Sequence, residues 1–237
     1  MIATFAALLL AHVLADFVLQ SDAMVTGKRQ PRILLLHGLI VLATATATLG
    51  TFSPWLLVLA VAHLVIDIAK TLSSQRGIWP FLADQAAHLA SLIALALLVP
   101  DLWSFGLWQH QSRMSALMTL TAGAIFATRA GGFAIGLLMK PWAGHAPAGL
   151  PGGGQAIGNL ERGLIFLLIL TGQAQSIGFL IAAKSVLRFG SVSTEKEVSE
   201  YVIIGTLASF TWAITVSFAT AALLGHLPAL GIPDLLP

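Results

Sequence analysis

Residues 54–74 read PWLLVLAVAHLVIDIAKTLSS, an apolar run that contains His63 and Asp67 in its second half. Its length matches the roughly 17–25 residues that a helix needs to cross the hydrocarbon of a bilayer. The two polar residues are four positions apart, so they lie on one face of that helix. Ionisable side chains at membrane depth are expensive and indicate a functional site by default. This segment therefore predicts a membrane-spanning fold with a polar site inside it.

The composition extends the membrane prediction to the whole chain. Of its 237 residues, 57% are hydrophobic and only 9% are charged, and the mean hydropathy is +0.89, far from an ordinary soluble domain. The chain has no cysteine, which excludes disulfides and thiolate ligands. It has no basic patch of the nucleic-acid-binding type. We therefore expect an all-α protein whose partners are membrane lipids rather than nucleic acid, and a homo-oligomeric state is left open.

Apolar segments recur along the sequence and predict a polytopic bundle of about eight transmembrane helices. Positive charge marks alternate loops, beginning with Lys28, Arg29 and Arg32 after the first segment. Since cytoplasmic loops carry the excess of Lys and Arg, both termini are expected on the extracytoplasmic side. The predicted segments are 2–21, 33–50, 54–74, 82–100, 114–139, 157–172, 175–189 and 200–225.

The segments fall into two parts. Residues 1–140 are predicted to form a five-span N-terminal bundle, and the Gly- and Pro-rich block 141–156 a cytoplasmic loop. Residues 157–237 form a three-span C-terminal part. Its first two segments are each only some 22–25 Å long at the helical rise. A re-entrant hairpin is therefore the alternative to two full crossings.

Histidine and aspartate recur in the first four segments at helical spacing. Depths counted from the cytoplasmic helix ends place them in one band, roughly 6–16 Å into the membrane. Antiparallel helices can share a site only when their ligands lie at a common depth, and these residues meet that condition. The candidate metal ligands are His12, Asp16, His37, His63, Asp67, Asp84 and His88.

These residue types suit a divalent metal ion. Neutral imidazole and carboxylate accept zinc first of all, with manganese or iron as alternatives. Seven candidates serve either two ions or one ion with hydrogen-bonded His–carboxylate pairs around it. The alternative is a purely structural role, in which these residues form interhelical hydrogen bonds and ion pairs that hold a polar bundle together.

Other polar residues complete the candidate site. The favoured ligands are His12, His63, His88 and Asp67, while Asp16, His37 and Asp84 complete the site or act as the general base. Lys70 is a candidate for a catalytic group that neutralises a carboxylate or binds a substrate anion, although a lysine that reaches the membrane interface is an equally good interpretation. Residues His110, His145 and His226 fall outside the apolar segments and are interpreted as solvated. The candidate substrate-binding residues are Gln20, Glu161, Arg162, Lys184 and Arg188, of which the last four alternatively pair within the protein.

A set of short motifs resembles a known family. The motifs are His12-x3-Asp16-Phe17-x2-Gln20, His37-Gly38, His63-x3-Asp67-x2-Lys70, Asp84-Gln85-x2-His88, Gly158-x-Leu160-Glu161-Arg162, Ala183-Lys184-Ser185-x2-Arg188-Phe189 and Glu200-Tyr201-x3-Gly205-Thr206. Together they resemble an uncharacterised bacterial integral-membrane family, domain of unknown function 3307. The resemblance implies a bacterial inner-membrane protein and supplies no activity. Membrane-bound metal-dependent hydrolases share intramembrane His/Asp patterns, but their His-rich signature is not matched, so that link is an analogy.

Three functions fit the sequence. The first is a metal-dependent hydrolase that acts on a lipid-linked or amphiphilic substrate at the cytoplasmic leaflet, since a metal held by His and Asp activates water and polarises a phosphoryl or carbonyl oxygen. The second is a proton-coupled transporter or ion channel that uses the same polar band. The third is a membrane scaffold with a structural polar core. The outer halves of the first four segments are almost wholly apolar, which favours a dead-end pocket and hence the first function.

Overall fold

The computed structural model describes residues 1–73, 76–147, 149–189 and 196–231, with the backbone alone at 187–189. Within these ranges the chain is helical and contains no β-strand, as the sequence predicts. The described α-helices are α1 (Ile2–Phe17), α2 (Asp22–Gly27), α3 (Pro31–Leu49), α4 (Pro54–Leu72), α5 (Ile78–Leu98), α6 (Met114–Ile125), α7 (Gly131–Met139), α8 (Gly153–Leu170), α9 (Ile177–Phe189) and α10 (Lys196–Leu224).

Apolar helices of membrane-spanning length dominate the fold. Among the described residues, five helical stretches are long and apolar enough to cross a bilayer: α3, α4, α5, the stretch Met114–His145 that contains α6 and α7, and α10. Helix α1 and residues Ala174–Val186 are apolar but shorter. These helices indicate a membrane protein. The count of eight spans and the side on which the termini lie stay predictions.

Several helix boundaries differ from the predicted segments, and two of them bear on the site or the predicted loops. Helix α1 ends at Phe17, short of the predicted residue 21, and Ser21 caps the next helix by accepting a hydrogen bond from the Met24 amide at 3.4 Å. Helix α2 therefore occupies what the sequence predicts to be a loop. Helix α8 begins at Gly153, within the predicted loop 141–156, and a 3-10 turn covers Lys140–His145.

The chain forms two compact units. The first comprises Met1–Ala122 together with Leu223–Leu230, and most of the remaining chain, Gly123–Ala222, belongs to the second. The predicted N-terminal bundle, 1–140, thus extends beyond the first unit.

The first unit packs α1, α3, α4 and α5 around one another as antiparallel neighbours. At one end of this bundle the core is apolar and includes Leu8, Leu49, Leu56 and Leu95. The hydroxyl of Thr4 stabilises this end: it donates to the Pro100 carbonyl at 2.7 Å and accepts from the Trp103 amide at 3.3 Å. The opposite end of the same four helices carries the histidines and aspartates.

In the second unit a π-helical turn, Phe126–Ala130, joins α6 to α7. Two of its carbonyls accept side-chain hydrogen bonds: Phe126 O from Trp212 Nε1 at 3.0 Å, and Thr128 O from Arg162 Nε at 3.2 Å. These bonds stabilise a backbone geometry that is rare in proteins.

We expect Gly106→Ala to destabilise the first unit. A Cβ at this position would overlap the carbonyl oxygen of Leu49, at the end of α3, and a backbone atom cannot move aside as a side chain can. Overpacking of this kind costs about 1–3 kcal/mol. Thermal unfolding in detergent measures the effect, with Gly178→Ala as the control because a Cβ there meets nothing within 4 Å. Equal midpoints for the two variants would contradict the prediction.

Candidate metal site in the first unit

Helical geometry places seven polar side chains at one level of the bundle. They come from the C-terminal halves of α1 and α4 and from the N-terminal halves of α3 and α5, which meet because the helices are antiparallel. None of these side chains is more than 8% exposed. The structure thus brings together all seven residues that the sequence singled out: His12, Asp16, His37, His63, Asp67, Asp84 and His88.

Four of their atoms converge on one point. His37 Nε2 lies 3.0 Å from His63 Nε2 and 3.3 Å from both Asp16 Oδ1 and Asp67 Oδ2. His63 Nε2 lies 3.2 Å from Asp16 Oδ1 and 3.9 Å from Asp67 Oδ2. Two imidazoles and two carboxylates, contributed by α1, α3 and α4, therefore lie together, with His37 Nε2 within 3.3 Å of the other three atoms. We call these four residues the first ligand group.

The other three residues lie beside this group, towards α5. The His88 ring stacks on the His63 ring with centroids 4.0 Å apart, and its Nε2 is 3.6 Å from Asp84 Oδ1. The His12 ring is 5.1 Å from that of His88, and its Nε2 hydrogen-bonds to Gln85 Oε1 at 3.3 Å.

Two lysines neutralise one oxygen each of two buried carboxylates. Lys28 Nζ donates to Asp67 Oδ1 at 2.7 Å, and Lys70 Nζ donates to Asp84 Oδ2 at 2.6 Å. The Lys70 ammonium thus binds a carboxylate of another helix. The role of Lys28 is not predictable from local spacing, because its partner lies 39 residues away. The only sequence signal for it is a lysine placed just before a helix that carries a buried histidine.

Several buried polar atoms of the cluster have no hydrogen-bond partner within the described part of the chain. The second oxygens of Asp67 and Asp84, those that the lysines leave free, are among them. An unsatisfied buried donor or acceptor costs about 1–3 kcal/mol, so their concentration in one place favours the binding of a cation there. The complete set is His12 Nδ1, Asp16 Oδ1, Asp67 Oδ2, Asp84 Oδ1, His88 Nδ1 and His88 Nε2.

Gln20 contacts the cluster from the segment that follows α1, and not from the helix itself as the sequence predicts. The sequence predicts that it extends the His12–Asp16 face of α1, but α1 ends at Phe17. The chain leaves the helix there, with the Leu19 amide bonded to the Leu14 carbonyl at 2.9 Å. The Gln20 amide then lies 3.2 Å from the His37 ring nitrogens, where it helps to orient a member of the first ligand group.

The C-terminal candidates lie in the second unit and contact one another or neutral groups. Lys184 Nζ binds Glu161 Oε2 at 2.7 Å, which matches the alternative of pairing within the protein. Arg162 is buried and donates to Asn159 Oδ1 and Ser209 Oγ as well as to the Thr128 carbonyl. The side chain of Arg188 lies outside the described residues.

The remaining histidines are exposed, as the sequence predicts. His110 and His226 are open to solvent, and His145 is half-exposed beside Glu197 at 3.5 Å. None of them belongs to the cluster in the first unit.

Taken as ligand atoms, the cluster forms three overlapping sets that could hold a metal ion. The sets are His12–His63–His88, Asp16–His37–His63 and Asp67–Asp84–His88, and the donor atoms within each lie within 4.8 Å of one another. Imidazole and carboxylate donors in this number suit a divalent transition metal. The arrangement therefore has the donors of a metal centre, with Lys28 and Lys70 holding two of its carboxylates.

We expect Lys28→Met to destabilise the protein by about 3 kcal/mol, because it leaves the Asp67 carboxylate buried without its cation. The double variant Lys28→Met/Asp67→Asn should recover most of that loss, since both charges are then absent. Lys196→Met is the matched control: its pair with Glu200 is exposed, so the change should stay under about 1 kcal/mol. Unfolding in detergent micelles measures all three, and a single variant no less stable than the control would refute the role of Lys28.

Residues 4–114 match the family model described as "Protein of unknown function (DUF3307)". The matched range contains the whole cluster and both lysines, whereas the motifs between 158 and 206 lie beyond it. No curated protein and no solved structure matches the chain. Residues 4–114, a little under half of the chain, are thus similar to this family of unknown function.

Proposed function

We propose that this chain is a metal-dependent hydrolase of the bacterial inner membrane that acts on a lipid-linked or amphiphilic substrate. The observation that carries the proposal is the convergence of the first ligand group on one centre. With it we propose the eight-span topology, in which α1, α8 and α9 join the five longer stretches and the cluster faces the cytoplasmic leaflet. The alternation of Lys- and Arg-bearing loops supports this orientation.

The distances in the first ligand group suit a tetrahedral zinc ion. Ligand atoms about 2.0–2.1 Å from such an ion lie roughly 3.3 Å from one another. The distances among His37 Nε2, His63 Nε2 and Asp16 Oδ1 range from 3.0 to 3.3 Å. Asp67 Oδ2 lies 3.3 Å from His37 Nε2 and 3.9 Å from His63 Nε2. The three atoms of His37, His63 and Asp16 would therefore supply three ligands and leave the fourth tetrahedral position open for water, with Asp67 Oδ2 beside it. Such a shell favours zinc over ions that demand six oxygen ligands.

The charge balance also favours a cation. The cluster holds three carboxylates and two ammonium groups, so with neutral imidazoles its formal charge is −1. One divalent ion together with a bound hydroxide brings that charge to zero. Hydroxide bound to a metal ion is a potent nucleophile near neutral pH, and the same ion polarises the oxygen of the bond under attack.

The position of the cluster supports a pocket over a conduction path. The opposite end of the bundle is filled by apolar residues such as Leu8, Leu49 and Leu56, each of them fully buried. A proton-coupled transporter or channel, the alternative function, needs polar groups towards both faces of the membrane. At the cluster end, by contrast, the Lys70 side chain is 37% exposed, so it connects the site to its surroundings.

The same lysine suits an anionic substrate headgroup. Lys70 contacts Asp84 and still has exposed surface, so it is able to hold a phosphate oxygen as well. Lys28, on the other side of the cluster, is 13% exposed. In this proposal the lipid tail stays in the bilayer while its polar head meets the cluster between the two lysines.

The test is the metal content of the full chain, purified in detergent and measured by mass spectrometry. We expect at least one equivalent of zinc, manganese or iron per chain. His37→Ala and Asp16→Asn should each remove most of one equivalent, whereas His110→Ala, in an exposed loop, should remove none. Circular dichroism establishes that each variant is folded. Less than about a tenth of an equivalent in the wild-type protein would refute the metal site, and would favour the proton-moving or structural alternatives.

Activity is the second part of the test. Release of inorganic phosphate from phosphatidic acid in mixed micelles should depend on the metal and fall at least 100-fold in His37→Ala. A metal-loaded protein with no such activity on phosphate or carboxylic esters of lipids would leave the metal site standing and refute the hydrolase.

A further inference from the structure

A single ion does not account for all the unpartnered atoms of the cluster. An ion bound by the first ligand group satisfies Asp16 Oδ1 and Asp67 Oδ2. Four atoms remain within the described chain: His12 Nδ1, Asp84 Oδ1 and both ring nitrogens of His88. Three of them, Asp84 Oδ1 and the two nitrogens of His88, belong to α5, and all four are buried.

The geometry around Asp84 repeats that around Asp67. In each residue a lysine occupies one carboxylate oxygen, Oδ1 of Asp67 and Oδ2 of Asp84. Gln85 Nε2 also donates to Asp84 Oδ2, at 3.2 Å. The free oxygen of Asp84 is directed towards His88, whose Nε2 lies 3.6 Å away. This distance is too long for a hydrogen bond and suits two ligands of one ion.

Asp67 belongs to this second set as well. Donor atoms of Asp67, Asp84 and His88 lie within 4.8 Å of one another, and each of these residues is more than nine-tenths buried. We propose that Asp67, Asp84 and His88 hold a second divalent cation, so that the cluster is a two-metal centre in which Asp67 is shared. The proposal rests on the first ion of the proposed function and adds a second site to it.

A second ion changes the class of substrate. With two divalent cations and one hydroxide, the formal charge of the cluster would be +2, because the protein groups contribute −1. A phosphate monoester dianion neutralises that charge, whereas a neutral carboxylic ester does not. Two-metal sites with ions about 3.5–4 Å apart stabilise both the attacking and the leaving oxygen of a phosphoryl transfer. The favoured substrate is therefore a lipid phosphate monoester.

The reaction is the hydrolysis of that ester. The oxygen of water forms a bond to phosphorus, the bond between phosphorus and the lipid oxygen breaks, and the lipid leaves as an alcohol after it takes up a proton. Inorganic phosphate is the other product, and no oxidant or reductant is required.

Metal stoichiometry tests the second site. The full chain, loaded with Mn²⁺ in detergent and freed of excess metal, should contain two ions per chain. Asp84→Asn and His88→Ala should contain one. The controls Asp101→Asn and His110→Ala change exposed residues of the same unit and should retain two. One ion in the wild-type protein, unchanged in Asp84→Asn, would refute the second site and leave the proposed function intact. Absence of metal from the wild-type protein would refute both.

A spectroscopic measurement on the wild-type protein guards against variants that do not fold. Two Mn²⁺ ions a few ångströms apart should give the broad electron paramagnetic resonance signal of a coupled pair. The resolved six-line signal of isolated Mn²⁺ alone, at saturating metal, would overturn the proposal. Phosphate release from phosphatidic acid should exceed fatty-acid release from a neutral diacylglycerol at least 100-fold, and the reverse preference would refute the assigned substrate class.

Discussion

Three carboxylates buried in an apolar helix bundle impose the main constraint on the first unit. A buried carboxylate without a partner is strongly destabilising, so each must meet a cation or several donors. Asp67 and Asp84 each use one oxygen for a lysine from another segment, and Asp16 lies between two imidazoles. Meeting these needs together fixes the relative heights of α1, α3, α4 and α5. The same contacts leave one oxygen of each carboxylate without a hydrogen-bond partner and close to histidine nitrogens, an arrangement that could hold a metal ion.

Much of this cluster is predictable from the sequence, because the positions of its residues follow from the geometry of the individual helices that carry them. Residues four apart share a helix face, and depth follows from the helical rise, so the spacing of His63, Asp67 and the others is enough to assign them to one band. Partner choice between distant segments is different. The bond from Lys28 to Asp67 depends on how the short helix α2 returns the chain to the bundle. Likewise, α1 ends at Phe17 and a serine cap begins α2 at Ser21, so Gln20 lies between the two helices, where it contacts His37.

In the second unit, too, the contacts between distant segments are not predictable from the sequence. Glu161 and Arg162 are adjacent, so they are expected to face different sides of their helix, and they do contact different partners: Glu161 meets Lys184, whereas Arg162 meets three neutral acceptors. One of those acceptors is a carbonyl of the π-helical turn. Such a turn results from packing between helices, and the sequence FATRA at 126–130 carries no sign of it. The burial of Arg162 and the geometry of the π-helical turn therefore depend on each other, because a carbonyl of the turn accepts a hydrogen bond from the arginine.

The shortness of α1 bears on how the membrane meets this protein. Its 16 residues measure roughly 24 Å along the axis, whereas the hydrocarbon layer of a bilayer is about 30 Å thick. A bilayer adapts to such a mismatch by becoming locally thinner. In the proposed topology, in which α1 spans the bilayer, the interfacial region around this helix is drawn inward, and Asp16 lies in its last turn. A lipid headgroup could approach the polar cluster without leaving its own leaflet, since the deformation of the bilayer covers part of the distance.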